Sequence, residues 1–432
     1  MSAEPLYDAI VVGGGAAGLT AAVCLAREAG RRRKAAAILL AEKGPRVGKK
    51  LLATGNGTCN LSNLRAEESR YHGTDPAFVR PALAACTPAD VMAFFASIGV
   101  ECAAREDGKI YPLPAQAAAV LDCLRLEAAA LGVEERCGAA VRNIRPEGGG
   151  FLLTLPDGLV RARRVLVCCG GAASPSLGGS ADGYGLLTAL GHGLAPLFPS
   201  IVQVKTDIAF VKALKGVRVE GTAALRLDGR RLAAQAGEIL FTEYGLSGPA
   251  VMQISRHAAA WEQEGRPGRL EAELDLLPSL SWEALADRLA RRRELPGRRL
   301  EDYFTGLLQK RLGQTLLRAA GCGPLTNPAA ALTDKDVRRL ASIVKGWRIA
   351  VTGTQGLTAA QVTAGGVLTR EFDPGTLESR RVKGLYAAGE VLDIDGDCGG
   401  FNLQWAWASA FAAARAMAAG LWDCVKEKGR GI

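Results

Sequence analysis

Short apolar runs separated by glycine-rich turns dominate the beginning of the chain. The run at 8–12 (DAIVV) is apolar and β-branched, which predicts a parallel strand buried on both faces. It passes directly into GGGAAG at 13–18 and then into LTAAVCLAREAG, whose apolar spacing predicts a helix. A second apolar run at 37–41 predicts another strand, which ends at an acidic residue.

The turn after the first strand carries a dinucleotide-binding pattern. Gly13, Gly15 and Gly18 form GxGxxG in the strand–turn–helix context that this motif requires. The first glycine permits the tight turn, the second admits a pyrophosphate close to the backbone, and the third lets helix and strand pack closely. The helix start faces the phosphates, and Glu42 is placed to bind the ribose hydroxyls of an adenosine. Both NAD and FAD fit this pattern.

The loop after the acidic residue favours FAD over a nicotinamide dinucleotide. It reads KGPRVGKKLLATGNG over 43–57, rich in Gly, Lys and Asn. FAD extends a ribityl chain and an isoalloxazine ring past the pyrophosphate and needs polar backbone along that path. Lys49 and Lys50 lie between two Gly turns, which favours contact with an anionic ligand over an ordinary surface position.

A second glycine-rich region lies near the end of the chain. The run at 381–388 (RVKGLYAA) predicts a turn and a short strand that ends next to Glu390, a carboxylate suited to a ribityl hydroxyl. The segment GGFNLQ at 399–404 opens a long Ala-rich helix with free N–H groups. The flavin N1–C2=O2 edge becomes negative on reduction and would be stabilised there. One cofactor shared by both ends of the chain is favoured over two unrelated turns.

A further buried strand is predicted in the middle of the chain. The segment RVLVCCGG at 164–171 ends in a Gly pair and resembles the strand that runs past the pyrophosphate in many flavoproteins. Adjacent cysteines rarely form a disulfide without strain. We therefore interpret Cys168 and Cys169 as small buried apolar residues.

Composition limits the class of protein. The chain has 432 residues, 48% of them hydrophobic, which is enough for two or three packed domains. Eleven Cys without a CxxC pair, with only three His, favour reduced thiols and no metal site. No leader pattern opens the chain, and the apolar stretch 403–425 is interrupted by Arg415 and Asp423, so it predicts a buried helix. We expect a cytoplasmic protein without a membrane partner.

The net charge of +9 is concentrated in a few runs of arginine and lysine. They lie at 31–34, 291–293 and 298–299. No aromatic residues alternate with them and no nucleic-acid motif is present, so solvated helix ends and loops explain them better than an RNA surface. Nucleic acid is therefore not an expected partner.

The chain resembles the bacterial flavoproteins known as BaiN-like, or aminoacetone oxidase family, FAD-binding enzymes. The resemblance is carried by VVGGGAAG at 11–18, EKGPRVGKKLLATGNGTCNLSN at 42–63, DGKIYPLPAQAAAVLD at 107–122, GEILFTEYGLSGPAVMQIS at 237–255, TGTQGLTAAQVTAGGV at 352–367 and GLYAAGEVLDIDGDCGGFNLQWAWASA at 384–410. These blocks span nearly the whole chain.

The resemblance implies an α/β fold with a discontinuous Rossmann-like FAD-binding domain, an inserted β-rich, barrel-like domain and a small helical insert. The expected boundaries are 1–196 and 350–432 for the FAD-binding domain, 197–280 for the β-rich domain, to which 340–349 can also be assigned, and 281–339 for the helical domain. Short β runs at 200–280 and helical spacing at 281–345 agree with this division.

The motifs and the resemblance together predict non-covalent FAD, with NADH or NADPH as the electron donor. No second complete GxGxxG is present, so a nicotinamide would dock transiently at the flavin. The predicted cofactor-binding residues are Gly13, Gly15, Ala16, Ala17, Gly18, Glu42, Lys43, Gly48, Lys49, Lys50, Leu51, Thr54, Gly55, Asn56, Gly57, Val141, Gly170, Gly389, Glu390, Gly400, Phe401, Asn402 and Leu403.

No catalytic residue is fixed by the sequence. Tyr111 and Cys398 are the candidates, Tyr111 as a proton donor or as a wall of the pocket, and Tyr244 is similar. Cys59 has no second Cys four or five residues later, so it is expected to be a packing residue and not part of a redox pair. The family often has Arg where this chain has Thr58, and Thr or Tyr near Cys398, which weakens inference about the substrate.

Three functions follow, in order of preference. The first is reduction of an activated C=C bond in a small hydrophobic ketone, such as a steroid or bile acid intermediate, in an apolar pocket. The second is oxidation of small amines or amino ketones with oxygen as the acceptor. The third is a flavoprotein that binds RNA or a protein partner.

Overall fold

The computed structural model describes residues 4–423, which form two compact units. The first unit runs up to Leu197 and resumes at Val362, so it is discontinuous in sequence. The second unit is Phe198–Gln361. A strand-and-helix alternation builds the first unit, and antiparallel strands followed by helices build the second.

The strands are β1 Leu6–Val12, β2 Ile38–Ala41, β3 Ser62–Asn63, β4 Tyr71–His72, β5 Cys102–Ala104, β6 Lys109–Pro112, β7 Glu134–Arg136, β8 Asn143–Glu147, β9 Gly150–Leu155, β10 Gly158–Val167, β11 Phe198–Ser200, β12 Val204–Thr206, β13 Arg218–Leu227, β14 Arg230–Phe241, β15 Gly245–Ser247, β16 Leu270–Asp275, β17 Trp347–Thr354, β18 Val362–Ala364, β19 Leu385–Ala387 and β20 Asp395–Gly396. The α-helices are α1 Ala16–Arg31, α2 Lys49–Ala53, α3 Arg80–Ala85, α4 Pro88–Ser97, α5 Ala117–Ala130, α6 Asp182–Ala189, α7 Pro249–Gln263, α8 Trp282–Arg293, α9 Lys310–Ala319, α10 Asp334–Lys345 and α11 Phe401–Trp422.

A mainly parallel sheet organises the first unit. Its strand order is β7-β2-β1-β10-β9-β8, and β19 also pairs with β10. β7, β2, β1, β10 and β19 run parallel, whereas β10, β9 and β8 are joined as antiparallel neighbours. Every residue of β2 and the last four of β1 are buried. Their continuous apolar sequence follows from this burial, because helices cover both faces of a parallel sheet.

The long Ala-rich helix α11 lies in the core of the first unit and packs against α1. Its small side chains allow close packing, and two of its large ones, Trp405 and Trp407, are almost completely buried. The prediction of a buried helix at 403–425 is confirmed over the described residues, with a start at Phe401; residues 424 and 425 lie outside them.

Within residues 4–423, no single helix is long and apolar enough to cross a membrane. The helices Pro76–Ala85 and Pro88–Ser97, bent by 48°, pass that test only when they are taken together. Their apolar side chains, among them Phe78, Phe94 and Phe95, are buried in the core of the first unit. Core packing therefore accounts for their composition.

The second unit contains a closed barrel with the strand order β12-β15-β14-β13-β16-β17. The helix α7 packs against β14, β13 and β17, and α8, α9 and α10 precede the last barrel strand. β17 pairs with both β12 and β16 and so closes the barrel, and the predicted boundary at 350 lies inside it. The expected α/β class with an inserted barrel is confirmed.

The interpretation of the two adjacent cysteines as small buried residues is confirmed for Cys168 and only in part for Cys169, which packs against the core. Cys168 is buried, at 4% exposure. Cys169 is only partly buried; both cysteines follow the end of β10 at Val167. Both are free thiols.

His192 is the centre of a buried hydrogen-bond network with Glu371 and Ser379 in the first unit. His192 Nδ1 lies 3.1 Å from Glu371 Oε2, and His192 Nε2 lies 3.0 Å from Ser379 Oγ. Ser379 Oγ accepts hydrogen bonds from the N–H groups of Arg381 and Val382, so its own proton is directed to His192 Nε2. Burial lowers the pKa of His192, and a hydrogen bond from Arg381 lowers the pKa of Glu371 to about 2.

We expect the free energy of unfolding to fall as the pH drops below about 6.5, the ordinary pKa of histidine. The unfolded chain takes up the His192 proton first, because the folded-state pKa is lowered, and stability is lost on the acidic side. Glu371 adds a further loss between its ordinary pKa of about 4.3 and about 2. Urea unfolding curves recorded between neutral and mildly acidic pH measure the effect.

The matched variant for this prediction is His192→Gln, whose amide offers a donor and an acceptor but does not titrate. Its stability should change less than that of the wild type between neutral pH and the onset of glutamate titration. An identical pH dependence in both proteins would contradict the assignment to His192.

Candidate cofactor site

Four strands of the first unit end at one edge of the sheet, and the predicted cofactor motifs follow them. Val12 at the end of β1 is in register with Ala41 of β2 and with Val167 of β10. Val167 is in turn in register with Ala387 of β19. Ligands of open parallel sheets bind at the carboxyl ends of the strands. Segments far apart in sequence therefore meet at this edge.

The glycines of the first turn are required by close approach of the backbone. Gly13 has φ of 106°, and a Cβ there would lie 2.6 Å from the carbonyl oxygen of Cys168. A Cβ on Gly18 would collide with the carbonyl of Gly13. In contrast, a Cβ on Gly15 would meet no atom within 4 Å. The first and third glycines thus serve packing, while the second faces the open space that a pyrophosphate needs.

Glu42 directly follows β2, and two backbone N–H groups hold its carboxylate. Its Oε2 accepts a hydrogen bond from Gly14 N–H at 2.8 Å and its Oε1 from Gly44 N–H at 2.7 Å. Each carboxylate oxygen keeps a second lone pair for a ribose hydroxyl. Val141 lies in the following segment, 9% exposed, and its backbone N–H and C=O have no partner among the described residues. Those two groups are suited to the edge of an adenine ring.

An ion pair joins α2 to the segment that follows β19. Lys50 Nζ lies 2.9 Å from Glu390 Oε2 and 3.2 Å from Oε1. Glu390 Oε1 also accepts the N–H of Thr363 at 2.9 Å. A Cβ on Gly171 would lie 2.6 Å from the same oxygen, so only glycine fits there. The structure brings three predicted segments together around one carboxylate.

The loop after α2 is held in an unusual backbone conformation. Asn56 and Cys59 have φ of 54° and 59°, in the left-handed region that non-glycine residues rarely adopt. Cys59 N–H donates to Thr54 O at 3.0 Å, which fixes the turn. The Cys59 side chain is fully buried, and burial raises the pKa of its thiol to about 11. Such strain clusters where a backbone is shaped for a ligand.

The start of α11 supplies the second set of free donors. Gly400 is its N-cap, with φ of 100°, and the first hydrogen bond of the helix runs from Gln404 N–H to Gly400 O at 3.0 Å. The N–H groups of Phe401 and Leu403 therefore have no partner within the helix. The Asn402 side chain hydrogen-bonds to the backbone N–H and C=O of Gly396.

Asn60, which was not predicted as a site residue, lies beside this helix start. Its Oδ1 atom is buried and has no hydrogen-bond partner among the described residues. It would lie 2.8 Å from a Cβ on Gly400. Together with the open space at Gly15 and the free backbone groups of Val141, this unpaired oxygen fits a cofactor that carries polar groups along its length, as FAD does.

Some predicted residues are engaged elsewhere. Lys43 Nζ pairs with Asp182 Oδ2 at 2.8 Å, and both side chains are well exposed. Lys49 is exposed, whereas Leu51 is buried at 3% exposure and packs in the core. Gly170 adopts φ of 69° three residues after the end of β10. Their contribution to a cofactor site would come from the backbone or from nearby surface charge.

The catalytic candidates of the first unit lie on segments that flank α11. Asn63 Nδ2 donates to Gly399 O at 2.9 Å, which holds β3 against the turn that carries Cys398. Burial raises the pKa of the Cys398 thiol. Tyr111 lies on β6, next to β3, with the Arg105 guanidinium 4.0 Å from the centre of its ring. Tyr244 belongs to the second unit.

Asn60 and Thr363 are the residues that sequence reasoning missed. Asn60 lies just beyond the predicted loop, and the polar run TGNGTCN was the available signal for it. Thr363 binds Glu390 through its backbone N–H, which every residue except proline provides, and its hydroxyl accepts the N–H of Ala173 at 2.9 Å. Both contacts join segments far apart in the chain, so no local pattern could have identified it.

Comparisons with known proteins agree with a flavoprotein site. A family model described as HI0933-like protein Rossmann domain matches residues 7–416. The chain is 40% identical over 412 residues to the 3-dehydro-bile acid delta(4,6)-reductase of Clostridium scindens, covering 94% of this chain and 98% of that protein. It is 32% identical over 412 residues to the ribosomal RNA dihydrouridine synthase of Escherichia coli, covering 95% and 97%.

Among solved structures, one match is a 3-ketosteroid delta1-dehydrogenase of Sterolibacterium denitrificans in complex with 1,4-androstadiene-3,17-dione. The identity is 14% and the TM-score 0.49, with 96% of this chain and all of that one covered. A likeness of this strength supports no functional argument.

Replacing Gly15 by Val should give a folded protein that loses FAD affinity by about tenfold or more, because the side chain would fill the space left for the pyrophosphate. The matched control is Gly30→Val at the other end of α1, where a Cβ also meets no atom within 4 Å. The flavin-to-protein ratio of each purified variant, measured by absorbance, checks the prediction. Equal FAD content in the two variants would contradict the placement of the pyrophosphate.

Proposed function

The chain belongs to the HI0933-like family, and from that premise we propose that it is an FAD-dependent reductase of a C=C bond conjugated to a carbonyl group. The proposed substrate is a hydrophobic, steroid-like ketone, and the proposed electron donor is NADH or NADPH. The observation that carries the proposal is the 40% identity, over nearly the full length of both chains, to a 3-dehydro-bile acid delta(4,6)-reductase.

FAD, when bound and reduced, would supply the hydride for the carbon of the double bond that lies β to the carbonyl. The chain must then deliver a proton to the neighbouring α carbon. It must also hold the ring system of the cofactor and keep water away from the reacting atoms. The free first-turn N–H groups of α11 would hold the flavin and favour negative charge on it.

Two side chains are proposed as proton donors. Burial raises the pKa of the Cys398 thiol, so this group stays protonated at neutral pH. The Tyr111 hydroxyl is the second donor, on the strand that also carries Lys109. A Cβ on Gly399 would lie 3.5 Å from Lys109 Cε, which places this strand next to the start of α11.

A second candidate substrate is RNA. A uridine ring carries its C5=C6 bond in conjugation with the C4 carbonyl, so its reduction belongs to the same reaction class. The relative from Escherichia coli is named as a ribosomal RNA dihydrouridine synthase. The second unit of this chain contains 24 Lys and Arg against 17 Asp and Glu, and so carries +7 of the net charge of +9. An excess of this kind favours binding to phosphates.

The test of the proposed function follows the visible spectrum of the purified protein without oxygen. NADH or NADPH should bleach the flavin bands, and a 3-oxo-4,6-diene steroid should restore them with formation of the reduced ketone. Restoration by ribosomal RNA fragments, weakening as salt rises, would favour the second candidate. Reoxidation by air alone, after reduction by an amine, would identify an oxidase and contradict the proposal.

Variants of the proposed donors separate the two halves of this reaction. Tyr111→Phe and Cys398→Ala should leave flavin reduction by NADH unchanged. Loss of the true donor should slow reoxidation by the steroid by about a hundredfold, the usual scale of general acid catalysis. Tyr7→Phe and Cys123→Ala, at a tyrosine bonded to Glu134 and a half-buried thiol of α5, are the matched controls. Unchanged stopped-flow reoxidation in both donor variants would contradict both assignments.

A further inference from the structure

The side-chain oxygen of Asn60 is a buried acceptor without a donor. Its Oδ1 atom has no hydrogen-bond partner among the described residues, although most buried polar atoms in folded proteins have one. Leaving an amide oxygen unpaired away from water is unfavourable. The position is therefore more easily explained by a ligand that supplies the donor.

The neighbours of Asn60 hold it in place. Cys59 is fixed in the left-handed region by its bond to Thr54 O, and Leu61 N–H donates to Ile110 O at 2.8 Å. The indole N–H of Trp407 donates to Leu61 O at 2.8 Å. Backbone bonds on both sides thus determine where this side chain begins.

Asn60 Oδ1, an acceptor, lies beside the start of α11, where backbone donors are free. The oxygen lies against Gly400, the N-cap of α11, whose first-turn N–H groups are free of helical partners. The pyrimidine edge of an isoalloxazine ring offers the complementary pattern, with the acceptor O2 next to the donor N3–H. A ring placed with O2 at the helix start presents N3–H on the neighbouring side.

We propose that Asn60 is a positioning residue for the flavin, whose Oδ1 accepts a hydrogen bond from the ring N3–H while the first turn of α11 binds O2. The proposal rests on the FAD-binding part of the proposed function and does not depend on the substrate. N3–H is a donor in both the oxidised and the reduced ring. Asn60 therefore contributes to the affinity and orientation of the ring in both states.

The test uses 3-methyl-FAD, an analogue that lacks the N3–H donor. Purified holoprotein is dialysed against an equimolar mixture of FAD and 3-methyl-FAD, and the bound flavins are separated and quantified by chromatography. The wild type should prefer FAD by about tenfold, the worth of one buried hydrogen bond. Asn60→Ala removes the acceptor and makes room for the methyl group, so it should bind the two flavins almost equally.

Two further variants make the result specific. Asn60→Asp keeps an acceptor oxygen and should retain the preference for FAD. Thr20→Val removes another buried oxygen without a partner, inside α1, and should retain the wild-type preference. A wild-type preference that survives in Asn60→Ala would overturn the proposal. A wild type that binds neither flavin would instead overturn FAD binding itself.

Discussion

The shared register of four parallel strands is the constraint on which the cofactor site depends. β1, β2, β10 and β19 end level with one another, so the segments that follow them emerge at one edge of the sheet. Glycine at 13 and 18 then lets backbone segments approach more closely than any side chain allows.

The same edge is assembled from the two ends of the chain. β1, β2 and the loop with Lys50 come from the beginning, and β19, Glu390 and α11 from the end. The Lys50–Glu390 ion pair and the packing of α1 against α11 join these parts directly. The barrel and its helices can be inserted between them because the parallel strands need no short connection.

Much of the first unit could be predicted from local sequence. The GxGxxG turn, the acidic end of β2 and the helix start at Gly400 each need particular residues at particular spacing. The partial exposure of Cys169, the pairing of Lys43 with Asp182 and the strand that closes the barrel could not be predicted in this way. Each depends on contacts between residues far apart in the chain.

The sequence by itself determined the α/β class, the dinucleotide-binding turn and the family. Turn geometry and strand burial each require particular residue types, and these can be recognised from their order along the chain. Tertiary structure alone decided which polar groups face the cofactor groove. Asn60 is an ordinary asparagine in the sequence and becomes distinctive only because folding buries its oxygen beside Gly400 without a hydrogen-bond partner among the described residues. Hydrogen bonding between distant segments leaves no periodic trace in the chain, since it depends on where each segment lies in three dimensions.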